Sequence, residues 1–372
     1  MKKRIVINAL ASLGTKTGVG RYTENIIAYL AMANRYEQNY FYGYFTNQRL
    51  SNNKHSSLGK LKGLATKFSL IKSIIRLLLS KISALSNKKY DLYFEPNFIP
   101  LKNIKAAKTI VSVHDFSFLI YQEYHTKERV EYFDKYFFSN IANADAIICF
   151  SEYTKNEVIK NIGINGTNVY VIYHGVDHNV FKILDNKQTV HNLPEQFIFC
   201  AGSIEPRKNL MGLLNAYNEL NEDIKLKYKL VLVGFKGWEN TQIMNLIKKN
   251  THNIHYLGFV SDEELARLYN LASCFIYSSF YEGFGLPILE AMACGTPVIC
   301  SNSSSMPEVG GDAVLYFDPN NIKELTYQIT YLLTDKVLQQ NLVQKGLSRA
   351  EQFSWEKSAK EHLDVFEEVL SR

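Results

Sequence analysis

The sequence predicts an α/β protein made of two doubly wound parallel-sheet domains. Three observations lead there. The chain has 372 residues, which suits two domains at roughly 100–200 residues each. Short apolar runs alternate with helical patterns along its length, the order that yields parallel strands covered by helices. A polar, mixed stretch at 178–196, with Asp185-Asn186-Lys187-Gln188 and Pro194, interrupts the alternation, which then restarts. The expected domains are therefore 1–180 and 181–354.

The elements follow in order. Ile5–Asn8 reads as a first strand. Tyr22–Ala33 has helical spacing, with Ile26, Ile27, Leu30 and Ala31 on one side. Phe41–Phe45, Leu92–Phe94 and the β-branched run Thr109–Val113 read as strands. Ala146–Phe150 is the next, followed by Ser151, suited to cap a helix through Ile159, and by the strand Val169–Ile172. Beyond the seam, Phe197–Ala201, Leu230–Val233, Ile254–Leu257, Cys274–Ser278, Val298–Cys300 and Val314–Tyr316 repeat the theme. In open sheets of this kind ligands bind beyond the carboxyl ends of the strands. Two such domains are expected to face a central cleft.

Composition narrows the function classes. Hydrophobic residues are 46% and charged residues 21% of the chain, a globular balance that argues against disorder. A run of about 18 apolar residues is missing, so a membrane-spanning helix is not expected. The apolar run after Met1-Lys2-Lys3-Arg4 breaks at Asn8, short of the roughly 7–15 residues of a signal peptide core. Cys149, Cys200, Cys274, Cys294 and Cys300 are scattered, without a CxxC pair, and read as reduced core thiols of a cytoplasmic protein.

Four strings carry chemistry. In Tyr281-Glu282-Gly283-Phe284-Gly285-Leu286-Pro287, Pro287 suits the first position of a helix that Gly295 ends. The amides of Gly283, Phe284, Gly285 and Leu286 then lie at a helix N-terminus, an anion site that glycines let a phosphate approach closely. Glu282 and Glu290 bracket it, each able to accept hydrogen bonds from hydroxyls. In Gly202-Ser203-Ile204-Glu205-Pro206-Arg207-Lys208-Asn209, Arg207 and Lys208 suit a diphosphate leaving group, whose growing charge needs fixed cations. Two cations at a helix start oppose the helix dipole, a local conflict expected at a functional site. Gly18-Val19-Gly20-Arg21 puts glycines at a strand-to-helix junction. The full G-x-G-x-x-G fingerprint is absent there, which argues against a dinucleotide cofactor. Val113-His114-Asp115 ends a strand; the pair fits either a sugar-hydroxyl contact or a structural hydrogen bond.

Together these strings resemble glycosyltransferase family 4, retaining enzymes with the two-domain GT-B fold of Rossmann-like domains. The resemblance is strongest from Phe199 to Asp318 and includes Leu257-Gly258-Phe259-Val260-Ser261-Asp262, Gly311-Asp312-Ala313 and Tyr173-His174-Gly175-Val176-Asp177. Phe353-Ser354-Trp355 is similar to the point where the family's C-terminal helix crosses back to the first domain, here 355–372. The resemblance implies roles. Glu282 would hold donor-sugar hydroxyls, and Gly283, Phe284, Gly285 and Leu286 would offer amides to sugar or phosphate. Glu290 would hold the ribose, and Arg207 and Lys208 the diphosphate. Gly18 and Gly20 would approach the phosphate, His114 the sugar and acceptor, and Phe259 and Val260 the base. Many members carry an arginine where this chain has Ser203, so Arg207 would take a larger share. It also implies metal-independent transfer without a cofactor, since a DxD motif is missing. The leaving phosphate oxygen would take the acceptor's proton. The strings Gly18–Ile26, Ser203–Asn209 and Glu282–Pro287 are similar to bacterial mannosyl- and rhamnosyltransferases of surface polysaccharides, so GDP-mannose is the favoured donor and a polyprenyl-linked oligosaccharide the acceptor, with rhamnosyl, glucosyl or galactosyl transfer from a dTDP-, GDP- or UDP-sugar as the alternative. A phosphorylase would need a pyridoxal lysine motif, which is not evident. A catalytically inactive sugar-nucleotide-binding protein is the non-enzyme alternative.

Charge is uneven. Net charge is +6, yet between Gln38 and Tyr90 there are ten Lys or Arg residues and no Asp or Glu. Within 54–89, Leu61, Leu64, Phe68, Ile71, Ile75 and Leu78 follow helical spacing, with Lys60, Lys67, Lys72, Arg76 and Lys81 between them. Such a basic amphipathic helix suits an anionic membrane surface, at about 1 kcal/mol per basic residue, and would make the protein peripheral on the inner face of the cytoplasmic membrane. The same pattern fits a helix packed on the sheet with a basic edge. Nucleic acid is not expected, as no binding module accompanies the charge.

Overall fold

The computed structural model describes residues 2–13, 17–50, 88–186, 188–189, 192–237 and 241–372. The chain forms two compact units. The first comprises 1–119, 127–174 and 355–372; the second comprises 120–126 and 175–354. Most of the basic stretch at 54–89 lies outside the described residues, which resume at Lys88.

The first unit holds a seven-stranded sheet in the order β3 (Phe45–Thr46), β2 (Glu37–Phe41), β1 (Arg4–Asn8), β4 (Tyr90–Glu95), β5 (Ala106–Val113), β6 (Ala146–Cys149) and β7 (Val169–Val171). Every pairing is parallel except β2 with β3. The strand expected at Phe41–Phe45 is in fact a hairpin. Glu37–Phe41 is the strand, and Tyr42-Gly43-Tyr44 turns the chain, with Gly43 at φ 91°. Polar Gln38 and Asn39 hid the strand, although Asn39 is buried.

The second unit holds a six-stranded, all-parallel sheet in the order β10 (Ile254–Gly258), β9 (Lys229–Val233), β8 (Phe197–Ala201), β11 (Cys274–Tyr277), β12 (Val298–Ser301) and β13 (Val314–Phe317). Its strands read as continuous apolar runs because helices cover both faces. Helix Leu210–Asn218 buries Leu213, Leu214 and Tyr217 in the same core as Leu230, Leu232 and Ile276. The strand order reverses between β8 and β11. That reversal opens a crevice at their carboxyl ends, the switch point where such sheets take ligands.

The C-terminal helix Trp355–Ser371 belongs to the first unit. A buried relay fastens it. His362 Nδ1 lies 2.7 Å from the Ser358 carbonyl and Nε2 lies 2.7 Å from Tyr22 Oη. A carbonyl only accepts, so Nδ1 carries the proton and Nε2 accepts from Tyr22. Ser112 Oγ, 2.8 Å away, then donates to Tyr22 Oη. Burial lowers His362 to a pKa of about 4, so the ring is neutral at pH 7.

Candidate active site

The site in the second unit begins where β8 ends. Gly202 N–H donates to Val233 O (2.9 Å), Ile204 N–H to Phe235 O (3.0 Å) and Gly237 N–H to Ile204 O (3.1 Å), so the loops after β8 and β9 run zipped together. Gly234 is required by that approach. A Cβ on it would lie 1.8 Å from the Gly202 carbonyl oxygen.

Pro206–Lys208 forms one 3₁₀ turn, and Asn209 (φ 51°) redirects the chain into helix Leu210–Asn218. Asn209 Oδ1 caps that helix through Gly212 N–H (3.2 Å), while its Nδ2 donates to Pro319 O (2.8 Å). The cap needs Gly212, whose Cβ would sit 2.5 Å from Asn209 Oδ1. The basic pair expected at a helix start therefore sits one turn ahead of it, held by its own loop.

The second half of the site is the segment from Ser278 to Gly285 after β11. A run of serines after β12 supports it. Ser301 Oγ donates to Ser279 O (2.6 Å), Ser303 Oγ to Phe280 O, and Ser305 Oγ to both Glu282 O (2.9 Å) and Phe284 O (2.8 Å). Ser304 Oγ accepts from Glu282 N–H (2.9 Å). Phe280 N–H donates to Arg207 O (2.9 Å) and Ser278 Oγ to Lys208 O (2.9 Å), tying the two loops together.

These supports bring four charges into one buried cluster. Glu282 Oε2 is 3.0 Å from Arg207 Nη1, and Glu282 Oε1 is 2.6 Å from Lys208 Nζ. Arg207 Nη2 also pairs with Glu205 Oε1 at 3.0 Å, and its Nη1 donates to Tyr281 O at 2.6 Å. Lys208 Nζ donates to Tyr277 Oη at 3.0 Å and lies 5.2 Å from that ring's centre. The four charged side chains are 5–17% exposed. Burial alone would raise Glu282, but Arg207 and Lys208 outweigh it and hold its carboxyl at about 2. Burial, with Glu282 nearby, raises Tyr277 well above the usual phenol value. The cluster is neutral as a whole, two cations against two carboxylates. Lys208, Tyr277, Gly202 and Ser203 line a concavity at the strand ends of this crevice.

Beside the cluster, helix Leu286–Ala293 starts from Gly285, whose φ of 117° suits glycine. Pro287 is thus the second helical residue rather than the first. Gly295 (φ 71°) follows the last turn as expected. Gly283 and Phe284 lie in the buried approach to this N-terminus. Glu290 is 4% exposed and accepts from Tyr269 Oη at 3.3 Å. Phe259 stands 59% exposed beyond β10, with half-buried Val260 beside it.

The remaining candidates lie in the first unit. Gly18 and Gly20 occupy the first turn of helix Gly18–Ala33, where Thr17 Oγ1 accepts from Gly20 N–H at 3.2 Å. A Cβ on Gly18 would meet no described residue within 4 Å. His114 Nε2 donates to Pro96 O at 2.8 Å, and the ring stacks on Phe150 with centroids 4.6 Å apart. Burial lowers it to a pKa of about 4, so at pH 7 it is neutral and Nδ1 is an acceptor. Asp115 does separate work, accepting from Ser117 N–H (2.8 Å) and Oγ (2.6 Å).

Sequence reasoning missed Glu205, Tyr277 and the Ser301–Ser305 supports. Glu205 stands two residues before Arg207, where its charge was a signal; the serines stand at and just after the end of β12 without a pattern that marks them.

Comparison with known proteins agrees across the chain. The family model described as Glycosyltransferase Family 4 matches residues 17–180, and the one described as Glycosyl transferases group 1 matches 182–349. O-antigen chain mannosyltransferase B of Escherichia coli is 35% identical over 366 residues, covering 94% of this chain and 96% of that protein. Among solved structures, the sucrose-phosphate synthase of Thermosynechococcus elongatus aligns over 100% of both chains with a TM-score of 0.75 at 20% identity. Anabaena HepE, in complex with UDP and glucose, aligns over 98% of this chain and 100% of that one with a TM-score of 0.72 at 16% identity. At these identities the structures bear on the fold, which is GT-B.

Proposed function

The chain belongs to glycosyltransferase family 4, and from that premise we propose that it is a retaining mannosyltransferase, moving mannose from GDP-mannose to a lipid-linked glycan in surface-polysaccharide synthesis. The observation that carries the site assignment is the Glu205–Arg207–Glu282–Lys208 cluster at the switch point, next to the glycine-flanked start of helix Leu286–Ala293. The choice of mannose rests on the 35% identity to an O-antigen mannosyltransferase.

In this reading the cluster is a donor site held ready by its own carboxylates. Buried cations without counter-charge are costly, so Glu282 and Glu205 hold Arg207 and Lys208 in place while the site is empty. The arriving diphosphate, with two or more negative charges, takes over the cations. Glu282 then turns its oxygens to hydroxyls of the sugar. Glu290 holds the ribose, and Phe259 and Val260 flank the base. In the transfer the bond from the anomeric carbon to the diphosphate oxygen breaks. The acceptor oxygen bonds to the same face of that carbon, and its proton passes to the leaving phosphate oxygen. Arg207, Lys208 and the helix N-terminus stabilise the charge that develops there, a task worth about 10²–10³-fold in rate per fixed donor. No metal is needed, and EDTA leaves the rate unchanged. The basic, apolar-spaced stretch at 54–89 holds the protein on the anionic leaflet that carries the acceptor.

The test is transfer from GDP-mannose by Arg207→Ala and Lys208→Ala. Each loses at least about 10²-fold in rate. Near-normal rates in both would remove the site assignment.

A further inference from the structure

We infer that the second unit carries a separate subsite for neutral saccharide, on the far side of the Pro206–Asn209 turn from the donor cluster. The inference rests on the glycosyltransferase reading and extends it to how a glycan is held.

The feature is a concavity of about 440 Å³, in which Tyr124 and Phe280 meet the carboxamides of Asn209, Asn215, Gln242 and Asn320. Its size lies within the range of small-ligand sites, roughly 300–1,000 Å³. Tyr124 belongs to the segment 120–126 that is part of the second unit. Its ring lies nearly parallel to Phe280, with centroids 6.0 Å apart at 25°. Tyr121 stacks on Tyr124 in turn, at 5.5 Å and 6°.

Chemistry selects the ligand class. No Lys, Arg, Asp or Glu is among the described residues that line the concavity. A nucleotide, a phosphate or a cation would find no counter-charge among these described lining residues. A neutral polyol fits instead: the carboxamides of Asn215 and Gln242 both donate and accept, as hydroxyls require, and flat aromatic groups suit the apolar C–H face of a pyranose. The contrast with the donor crevice is direct, since that concavity is lined by Lys208. The two share a wall. Lys208 faces one side of the turn, Pro206 and Asn209 the other, and Phe280 N–H is bonded to Arg207 O. A glycan held there lies one turn of chain from the reacting diphosphate, which suits sugars of the acceptor or of the growing product.

Asn215 and Gln242 are the residues to change, because neither takes part in the donor cluster. The probes are α-mannotriose, maltotriose and chitotriose, titrated by calorimetry into the full-length protein, with GDP titrated in parallel. At least one trisaccharide binds the wild type. Asn215→Ala and Gln242→Ala each weaken it about 3–10-fold, the equivalent of one hydrogen bond, while GDP affinity and Tm hold. In transfer assays the same variants raise acceptor KM and leave donor KM unchanged. The inference is overturned if none of the three trisaccharides binds, or if both variants bind them as the wild type does. Failure of GDP to bind would instead count against the donor site, so the two readings fail separately.

Discussion

Replacing Glu282 by glutamine removes one charge from a neutral, buried cluster of four. Lys208 then loses its carboxylate partner, and Arg207 keeps Glu205. The magnitude follows from the carboxyl itself. Its pKa falls from 4.5 to about 2, and at 1.36 kcal/mol per unit this is about 3 kcal/mol of stability. The cost of breaking a buried ion pair by removing one partner, about 3–5 kcal/mol, leads to the same scale. The sign is fixed by the direction of the shift. A depressed carboxyl contributes in full above pH 4.5 and loses that contribution as pH falls toward 2. Urea unfolding at pH 7 is therefore expected to find Glu282→Gln about 3 kcal/mol less stable than the wild type. The gap narrows by about 1.4 kcal/mol at pH 3.5, because there the unfolded chain's carboxyl is mostly protonated while the folded one is still ionised. Comparing the two proteins cancels the other titrating groups. Transfer falls by at least about 10²-fold. Equal stability at pH 7, or a gap that does not change with pH, would refute the ion-pair reasoning.

Other outcomes follow from the same geometry. Gly234→Ala drives a Cβ to within 1.8 Å of the Gly202 carbonyl; it costs about 2–3 kcal/mol and weakens GDP binding, measured by unfolding and calorimetry. His362, neutral in the core with its pKa lowered to about 4, makes stability fall as pH drops from 6.5 toward 4, because the unfolded chain takes up the proton first. Wild type should lose about 3 kcal/mol more than His362→Gln across that window. Changing Lys72, Arg76 and Lys81 to glutamate releases the protein from anionic vesicles in a flotation assay; unchanged binding would remove the membrane proposal.

Much of this architecture was legible before any coordinates. Phe197–Ala201 was readable to the residue because a strand buried on both faces is a bare apolar run. Glu37–Phe41 was not, since a strand that buries Asn39 breaks the apolar pattern. In the site, Arg207, Lys208 and Glu282 were each visible as residue types suited to a diphosphate and a sugar. Their mutual pairing was not, because it joins loops 74 positions apart in sequence. The sequence assigned the carboxylate to hydroxyls and the cations to phosphate; the geometry adds that they hold each other. The serine supports escaped notice because serine hydroxyls bonded to carbonyls leave no periodic signal. The carboxamide-lined concavity was equally hidden, drawing on residues from 124 to 320.

The central claim is tested most directly by incubating the protein with GDP-[¹³C]mannose and a polyprenyl-linked glycan, in EDTA, and reading the anomeric carbon–proton coupling of the product by NMR. A single new α-mannoside is expected, formed from GDP-mannose in preference to UDP-glucose or dTDP-rhamnose. A β-linked product, or transfer only from another nucleotide sugar, would contradict it.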